Sequence, residues 1–369
     1  MPLVRLSLLR GKSKDQIRAI ADNVHQALIE TFEVPSDDRF QFVDQYEPEE
    51  FIYDPGYLGV ARSDSVIFIQ IFLSAGRTTE QKQALYARIA ALLPPPVRPR
   101  YLVWMYGIEV WRPLSGSRSR ALRQATVRLA TSSHTVVEAR AVNRDFGPVE
   151  VLPLCLEERA PAGEVDGTLL DRAGHGFLLI VGRMAASERY KGHDQLLQAM
   201  TRLPSAGHAR PRLIIAGDGD DRRRLEALSA SLGLSGEVLF TGFVSEATLA
   251  ELYARAAVFV MPSRGEGFGL VYLEAMRAGR PCVAARASAA AEIVADGETG
   301  LLVDPLDPEA IAGALGRLLA APNLARAMGE AGRRRLERQF TPRRFRERLW
   351  PLLDRLTGGP EGTGDRPSG

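Results

Sequence analysis

Apolar positions change their period repeatedly along this chain, and each change marks an element. The clearest change lies near the three-quarter point. Residues 256–260 (Ala256, Ala257, Val258, Phe259, Val260) are a short β-branched apolar run, the pattern of a strand buried on both faces of a parallel sheet. A turn follows, Met261-Pro262-Ser263-Arg264-Gly265-Glu266-Gly267-Phe268-Gly269, after which Leu270, Leu273 and Met276 recur one helical turn apart. A strand that ends in glycines and opens a helix offers free backbone N–H groups to an anion and lets it approach closely.

The same reading covers the rest of the chain. Alternation predicts a strand over residues 1–8. Helical spacing at Ile17, Ile20, Ala21, Val24, Leu28 and Ile29 predicts a helix over 14–32, followed by strands at 39–43 and 66–73 and a helix over 79–93. That order is a compact α+β unit. Pro94-Pro95-Pro96-Val97-Arg98-Pro99 cannot continue a helix and reads as a stiff linker. A strand at 101–107, a basic amphipathic helix at 117–130, a short strand and turn at 129–133, a helix at 135–142 and a strand at 149–154 resemble the last two βα units of a doubly wound domain. So few residues cannot close such a domain alone, so an edge must be covered or left open. Residues 155–176 are polar and irregular and read as a second linker. Strands at 177–181, 211–216, 238–240, 256–260, 281–284 and 299–303 then alternate with helices, which predicts a parallel sheet covered on both faces, with ligands at the carboxyl ends of its strands. Glycine, proline and charge over 358–369 predict a disordered tail.

Composition narrows the function. The 369 residues can bury more than one core, and 45% hydrophobic with 25% charged residues is ordinary for a soluble globular protein. A net charge of +2 gives no electrostatic case for nucleic acid; Arg222-Arg223-Arg224 and Arg333-Arg334-Arg335 read as helix surface. Cys155 and Cys282, far apart in apolar surroundings, are expected to be reduced and buried. No signal-peptide pattern and no apolar run of ~18 residues is visible. The expected location is cytoplasmic, with peripheral contact at the inner membrane face left open.

Chemistry gathers at two strand ends. Arg183 and Lys191 follow the strand at 177–181, and an arginine fork with a lysine point charge suits a diphosphate. Gly267 and Gly269 add backbone donors at a helix start. Glu274 is suited to accept from a ribose hydroxyl pair, and Glu266 from hydroxyls nearer the phosphate. Diphosphate, ribose and a further polyol together describe a nucleotide sugar.

Residues 100–357 resemble the retaining glycosyltransferases of the GT-B fold, family 4. The resemblance rests on Val181-Gly182-Arg183, Glu188-Arg189-Tyr190-Lys191-Gly192-His193, Ala216-Gly217-Asp218-Gly219, residues 264–276 and Asp296-Gly297-Glu298-Thr299-Gly300-Leu301-Leu302-Val303. It implies α-retaining transfer from a nucleoside diphosphate sugar to a saccharide, lipid or small-molecule acceptor, with no metal and no cofactor beyond the donor. Arg183 and Lys191 would stabilise the departing diphosphate, and Glu266 would orient the donor sugar. Gly182, Gly217, Gly267, Phe268, Gly269 and Glu274 would line the nucleotide site, while His193 reads as a cap or packing residue. Only the last portion of the acceptor-binding domain is recognisable. Tyr106-Gly107-Ile108-Glu109 places tyrosine where the family often has histidine, and Ser288-Ala289-Ala290 replaces a frequent glycine pair.

The stretches Met1-Pro2-Leu3-Val4-Arg5, Val34-Pro35-Ser36-Asp37-Asp38-Arg39-Phe40 and Gly76-Arg77-Thr78-Thr79-Glu80-Gln81-Lys82 resemble the tautomerase superfamily, in its longer members related to malonate semialdehyde decarboxylase. The resemblance covers residues 1–93. With Met1 removed, Pro2 is a secondary amine able to act as a base. The family implies that role for Pro2, with Asp38 and Arg77 holding carboxylate and water. Ala75 stands where a further arginine is expected, and the segment stops before its last strand, so a crippled site is the expectation. His25 reads as a surface or satisfied histidine. The absent strand and the strand at 102–106 invite a shared pairing, and oligomerisation through this segment is left open.

The expected fold is α/β: a GT-B-like, Rossmann-type carboxy-terminal domain, an incomplete amino-terminal domain and an α+β tautomerase-like segment. The divisions are 1–93 for the tautomerase-like segment, 94–99 for the proline linker, 100–170 for the acceptor-side remnant, 171–357 for the nucleotide-sugar domain and 358–369 for the tail. The leading function is retaining glycosyl transfer, impaired by the missing acceptor domain. The alternatives are donor binding without transfer and a proline-based tautomerase or decarboxylase.

Overall fold

The computed structural model describes residues 2–50, 66–72, 78–93, 101–143, 146–157, 160–203 and 210–357. The proline linker at 94–99, Ala75, Arg77 and the tail at 358–369 lie outside the described residues.

The first unit comprises β1 (Leu3–Leu9), α1 (Lys14–Phe32), β2 (Phe40–Tyr46), β3 (Ile67–Phe72) and α2 (Thr79–Leu92). Both helices open on a reciprocal cap, Ser13 with Gln16 and Thr78 with Gln81, which satisfies two otherwise orphaned amides at each start. β1 lies between its neighbours, parallel to β2 and antiparallel to β3. Val4, Leu6 and Leu8 point to one face and are buried against Ile20, Val24 and Leu28 of α1 and Leu85 and Ile89 of α2. On the other face Phe40, Phe42 and Phe72 are exposed at 47%, 61% and 55%.

The second unit comprises β4 (Leu102–Met105), α3 (Gly116–Gln124), β5 (Val127–Ala130), α4 (Ser133–Val142) and β6 (Glu150–Val151), with its strands parallel in the order β4-β5-β6. The basic helix is shorter than its periodicity predicts. It ends at Gln124, because Val127 and Leu129 alternate with Arg128 and are buried in a strand paired with β4. The expected shared pairing with the first unit does not form: among the described residues β4 pairs only with β5. The two units instead meet where α2 packs on α3. The cleft left between α2 and β4 is lined by Tyr86, Ala87, Leu102, Trp104, Met105 and Leu122.

The stretch at 155–176 is not simply a linker. It contains α5 (Gly167–Ala173), capped by Asp166, whose side chain accepts from Leu169 N. Leu170 and Ala173 join the large core, which the glycine-rich composition had hidden.

The third unit comprises β7 (Leu178–Val181), a three-ten segment over Ala186–Lys191, α6 (His193–Met200), β8 (Leu213–Ala216), α7 (Arg222–Ser231), β9 (Val238–Gly242), α8 (Glu246–Arg255), β10 (Val258–Met261), α9 (Leu270–Arg277), β11 (Cys282–Ala285), α10 (Ala290–Ile293), β12 (Gly300–Val303), α11 (Pro308–Ala320), α12 (Pro322–Gln339) and α13 (Pro342–Thr357). Its six strands are parallel in the order β12-β11-β10-β7-β8-β9. The chain therefore winds outward in both directions from the β7–β10 pair, which is the topological switch point of the sheet.

α13 returns to the second unit, where Phe345, Leu349, Leu352 and Leu356 cover Leu102, Trp104 and Leu129. Trp104 stacks on Phe345 at 5.7 Å between ring centroids. Cys282 is a buried free thiol, pushed up by burial; Cys155, also free, is only half-buried. Arg335 is only partly at the surface: half-buried, it donates to Ile293 O at 2.7 Å and Glu292 O at 2.9 Å. No helix among the described residues is long and apolar enough to cross a membrane.

Two glycines test the packing. A Cβ on Gly329 would overlap Gly279 O where α12 crosses α9, whereas Gly313 on the exposed side of α11 faces open space. Gly329→Ala should lower the thermal midpoint. Gly313→Ala should raise stability by about 0.5–1 kcal/mol through helix propensity. Equal shifts in both variants would show that the α9–α12 crossing is loose.

Candidate functional site

β7 and β10 end side by side, and the segments that follow them interlock. Gly182 N donates to Ala216 O at 2.9 Å, and a Cβ on Gly217 (φ 132°) would overlap Gly182 O, so glycine is required there for backbone contact. The Lys191 stem lies over Gly182, its Nζ 3.5 Å from where a Cβ would stand. The Tyr190 ring packs on Gly265, and Arg264 N donates to Tyr190 O at 2.9 Å. The segment bearing Arg183 and Lys191 and the glycine-rich turn therefore form one packed body.

Arg183 and Lys191 converge on Glu188, which the sequence had not marked as more than part of a motif. Glu188 is buried, accepts from Arg183 Nη2, and has Lys191 Nζ 2.9 Å from its Oε2. Burial alone would raise its pKa, but the contacts from Arg183 and Lys191 overcome this and hold it below the usual carboxylate range. Behind it, Arg189 donates to Asp221 at 2.7 and 3.0 Å, and Arg224 bridges Asp221 at 2.7 Å to Asp194 at 2.5 Å. The guanidinium groups of Arg224 and Arg189 hold the Asp221 carboxyl far below its ordinary value. His193 is 3% exposed and its Nε2 has no hydrogen-bond partner; burial, with Lys191 nearby, pushes it down to about 4. It is a neutral packing residue, and the cap position belongs to Gly192.

Across the turn, Glu266 is partly buried and its pKa is raised by burial, against the opposing effects of Ser263 and Lys191. Glu274 is raised for the same reason, and its Oε2 accepts from Tyr253 OH at 2.9 Å. Tyr253 came without a sequence signal, because its place beside Glu274 depends on α8 packing against α9. Tyr272 OH donates to Met261 O at 2.7 Å and ties the helix start to the end of β10. Gly269 (φ 100°) caps α9 with no side-chain hydrogen bond. The Phe268 ring is buried and packs edge-on to Phe340 at 6.1 Å, so only its backbone can serve a ligand.

The second unit closes over this turn. Gly267 O lies 2.7 Å from Ser132 Oγ, 2.9 Å from Thr131 Oγ1 and 3.3 Å from Thr135 Oγ1, three buried hydroxyls that sequence reasoning missed. A Cβ on Gly267 would overlap Tyr106 O, and one on Gly107 would stand 3.0 Å from Gly267 Cα. Tyr106, where histidine was expected, is half-exposed and stacks on Trp104 at 5.5 Å, while Glu109 accepts from the amides of Tyr106 and Gly107.

The tautomerase-like residues lie in the first unit. Pro2 is buried and Asp38 partly so. The pairing of Leu3 with Phe40 and Phe72 puts both at the same end of the sheet, and Arg77 lies outside the described residues. His25 is buried and its Nε2 is bonded to Ser36 O at 3.1 Å, which settles it as satisfied.

Comparison with known proteins matches different families to the two ends of the chain. The family model for glycosyl transferases group 1 matches residues 171–335, and two tautomerase enzyme models match residues 2–61 and 38–100. A GDP-mannose-dependent alpha-(1-6)-phosphatidylinositol monomannoside mannosyltransferase of Mycolicibacterium smegmatis is 37% identical over 204 residues, 51% of this chain and 52% of that protein. The chain thus spans about half the length of this curated relative. A probable tautomerase, YusQ, of Bacillus subtilis is 47% identical over 91 residues, 25% of this chain and 72% of that protein. Among solved structures, sucrose-phosphate synthase from Thermosynechococcus elongatus superposes with a TM-score of 0.65 at 23% identity, over 95% of this chain and 98% of that one. At that identity the likeness is one of fold. It takes in the amino-terminal unit as well as the carboxy-terminal domain.

The Asp221 network predicts a pH signature. Its depressed pKa contributes stability that is complete above the unfolded carboxylate value near ~3.9 and is lost as pH falls through that value toward the folded one. Asp221→Asn should destabilise by about 2–3 kcal/mol at pH 7, below the range for fully buried pairs because its arginine partners are part exposed. By denaturant titration the gap between variant and parent should be constant above pH ~5 and narrow below pH ~4. A gap that widens on acidification would contradict the pairing.

Proposed function

Since the chain joins a domain of the group 1 glycosyl transferase family, in GT-B architecture, to a tautomerase-family segment, we propose that it uses a nucleoside diphosphate sugar as glycosyl donor. The observation that carries this reading is the Arg183–Glu188–Lys191 cluster at the switch point, beside a glycine-rich helix start and opposite Glu266. Arg183 and Lys191 take the diphosphate and stabilise the charge that develops as it leaves. Glu266, its pKa raised by burial, accepts from the donor sugar's hydroxyls, and Glu274, oriented by Tyr253, accepts from the ribose. The product keeps the donor's anomeric configuration. The acceptor is a saccharide, a lipid or a small molecule.

On the acceptor side the reading is of impaired transfer. The tautomerase-like unit stands in front of β4 without joining its sheet, and Tyr106 supplies no cationic donor at neutral pH. Misplacing the reactants by an ångström costs of order a hundredfold in rate. The tautomerase-like unit acts as scaffold, and its exposed Phe40, Phe42 and Phe72 favour self-association through that face. The protein works in the cytoplasm.

Titration calorimetry with nucleoside diphosphates tests the donor site. Lys191→Ala should weaken binding roughly 10- to 100-fold, the loss of a charge-assisted contact worth about 1.5–3 kcal/mol. Unchanged affinity there and in Arg183→Glu would remove the assignment. Product analysis with a labelled nucleotide sugar and an acceptor panel tests the second half: donor hydrolysis should outrun transfer. Acceptor-dependent turnover on the order of 1 per second, usual for competent enzymes, would contradict impairment.

A further inference from the structure

The acceptor-side unit is held to the donor domain through a residue that neither the motifs nor the proposed chemistry uses. Glu292 lies in α10, beside the helix that carries Glu274. Its Oε2 accepts from Ser133 N at 2.9 Å and its Oε1 from His134 N at 2.8 Å, the first two amides of α4 in the other unit. Ser132, the N-cap of α4, accepts from Thr135 N at 3.1 Å. The orphan amides at this helix start are therefore satisfied partly from within and partly by a side chain some 160 residues away in sequence. A carboxylate is the favoured group at the positive end of a helix, and using both its oxygens fixes orientation as well as distance. Glu292 is itself anchored by Arg335, which donates to its carbonyl and to that of Ile293.

The same end of α4 also makes the hydroxyl contacts to Gly267 O. One side of the cleft thus carries two linked contacts, a carboxylate from α10 on the amides of α4 and the hydroxyls around α4 on the carbonyl of the donor turn. We propose that Glu292 is a positioning residue: it caps α4 from across the cleft and so sets the distance between the acceptor-side unit and the donor turn. The name of the turn's ligand rests on the reading above, whereas the clasp itself does not. Ser133 is exposed and His134 partly so, so water can take over both amides when the carboxylate is removed, and Ser132 remains as cap. The variants are therefore expected to fold.

Hydrogen–deuterium exchange on the full chain, with calorimetry against UDP and GDP and donor-turnover assays, tests this. In Glu292→Ala, exchange should quicken at least tenfold both at residues 131–136 and across the cleft at 264–269, with β7 and β10 unchanged. Diphosphate affinity should stay within about twofold, kcat for donor turnover should fall at least tenfold at unchanged donor KM, and Glu292→Gln should be intermediate in each readout. Faster exchange confined to 133–134, with the donor turn and kcat unaffected, would reduce Glu292 to a local helix cap and overturn the proposal. A loss of diphosphate affinity equal to that in Lys191→Ala would also overturn it, by placing Glu292 in the donor pocket. If no donor turnover is found in the parent chain, the functional reading fails, while quickened exchange on both sides of the cleft still establishes the clasp.

Discussion

The site depends on one constraint, the adjacency of β7 and β10. These strands are far apart in sequence, but their parallel pairing puts two carboxyl ends side by side where the winding of the sheet reverses. One end supplies the cations and the other the glycine-rich turn and helix start. Close approach then locks them together, with Gly192 against Pro262 and Gly265 under the Tyr190 ring. At each of these contacts a side chain would force the two ends apart.

Charge is organised in layers behind that adjacency. Arg183 and Lys191 are not left as bare cations; Glu188 lies between them and keeps them facing one point. Arg189, Asp221, Arg224 and Asp194 continue the alternation into α6 and α7, so the segment bearing the cations is tied at both ends. Opposite them, Glu266 and Glu274 sit where burial disfavours charge, a setting in which a carboxyl responds strongly to a nearby cation or hydroxyl. Groups held this way before a ligand arrives lose little entropy when it binds.

The join between the tautomerase-like unit and the rest of the chain is a matter of packing, not of a shared sheet. The tautomerase-like unit has its own core beneath α1 and α2 and touches the second unit through α2 and α3. What completes the second unit is α13, the last helix among the described residues, which covers the face containing Trp104 and Leu129. The second unit's three-stranded sheet is therefore stabilised from the far end of the sequence, and its attachment to the carboxy-terminal domain runs through Gly267, Glu292 and this helix.

Much of this was legible in the residues themselves. Period and glycine placement located nearly every strand, and the capping pairs Ser13–Gln16 and Thr78–Gln81 sat within three residues of each other, where local physics suffices. Arg183, Lys191, Glu266 and Glu274 could be singled out as candidates from their places after two strand ends and around one glycine-rich helix start. Local pattern failed where a neighbour decides the outcome. The helix at 117–130 was cut short by pairing with β4, the apparent linker hid α5, and the shared strand pairing did not form. Tyr253, Glu188 as counter-ion, the Thr131–Ser132–Thr135 hydroxyls and Glu292 had no signal that set them apart from ordinary polar residues. Tyr253, the hydroxyls and Glu292 acquire their roles from partners tens to more than a hundred residues away, whereas the cations of Glu188 are near in sequence and its role comes from burial that only the packed chain creates. Sequence determined which segments are strands and helices and which charges stand at their ends, because those follow from contacts within a few residues; which of those ends meet, and what holds them together, was decided by strand order and close packing in the tertiary structure.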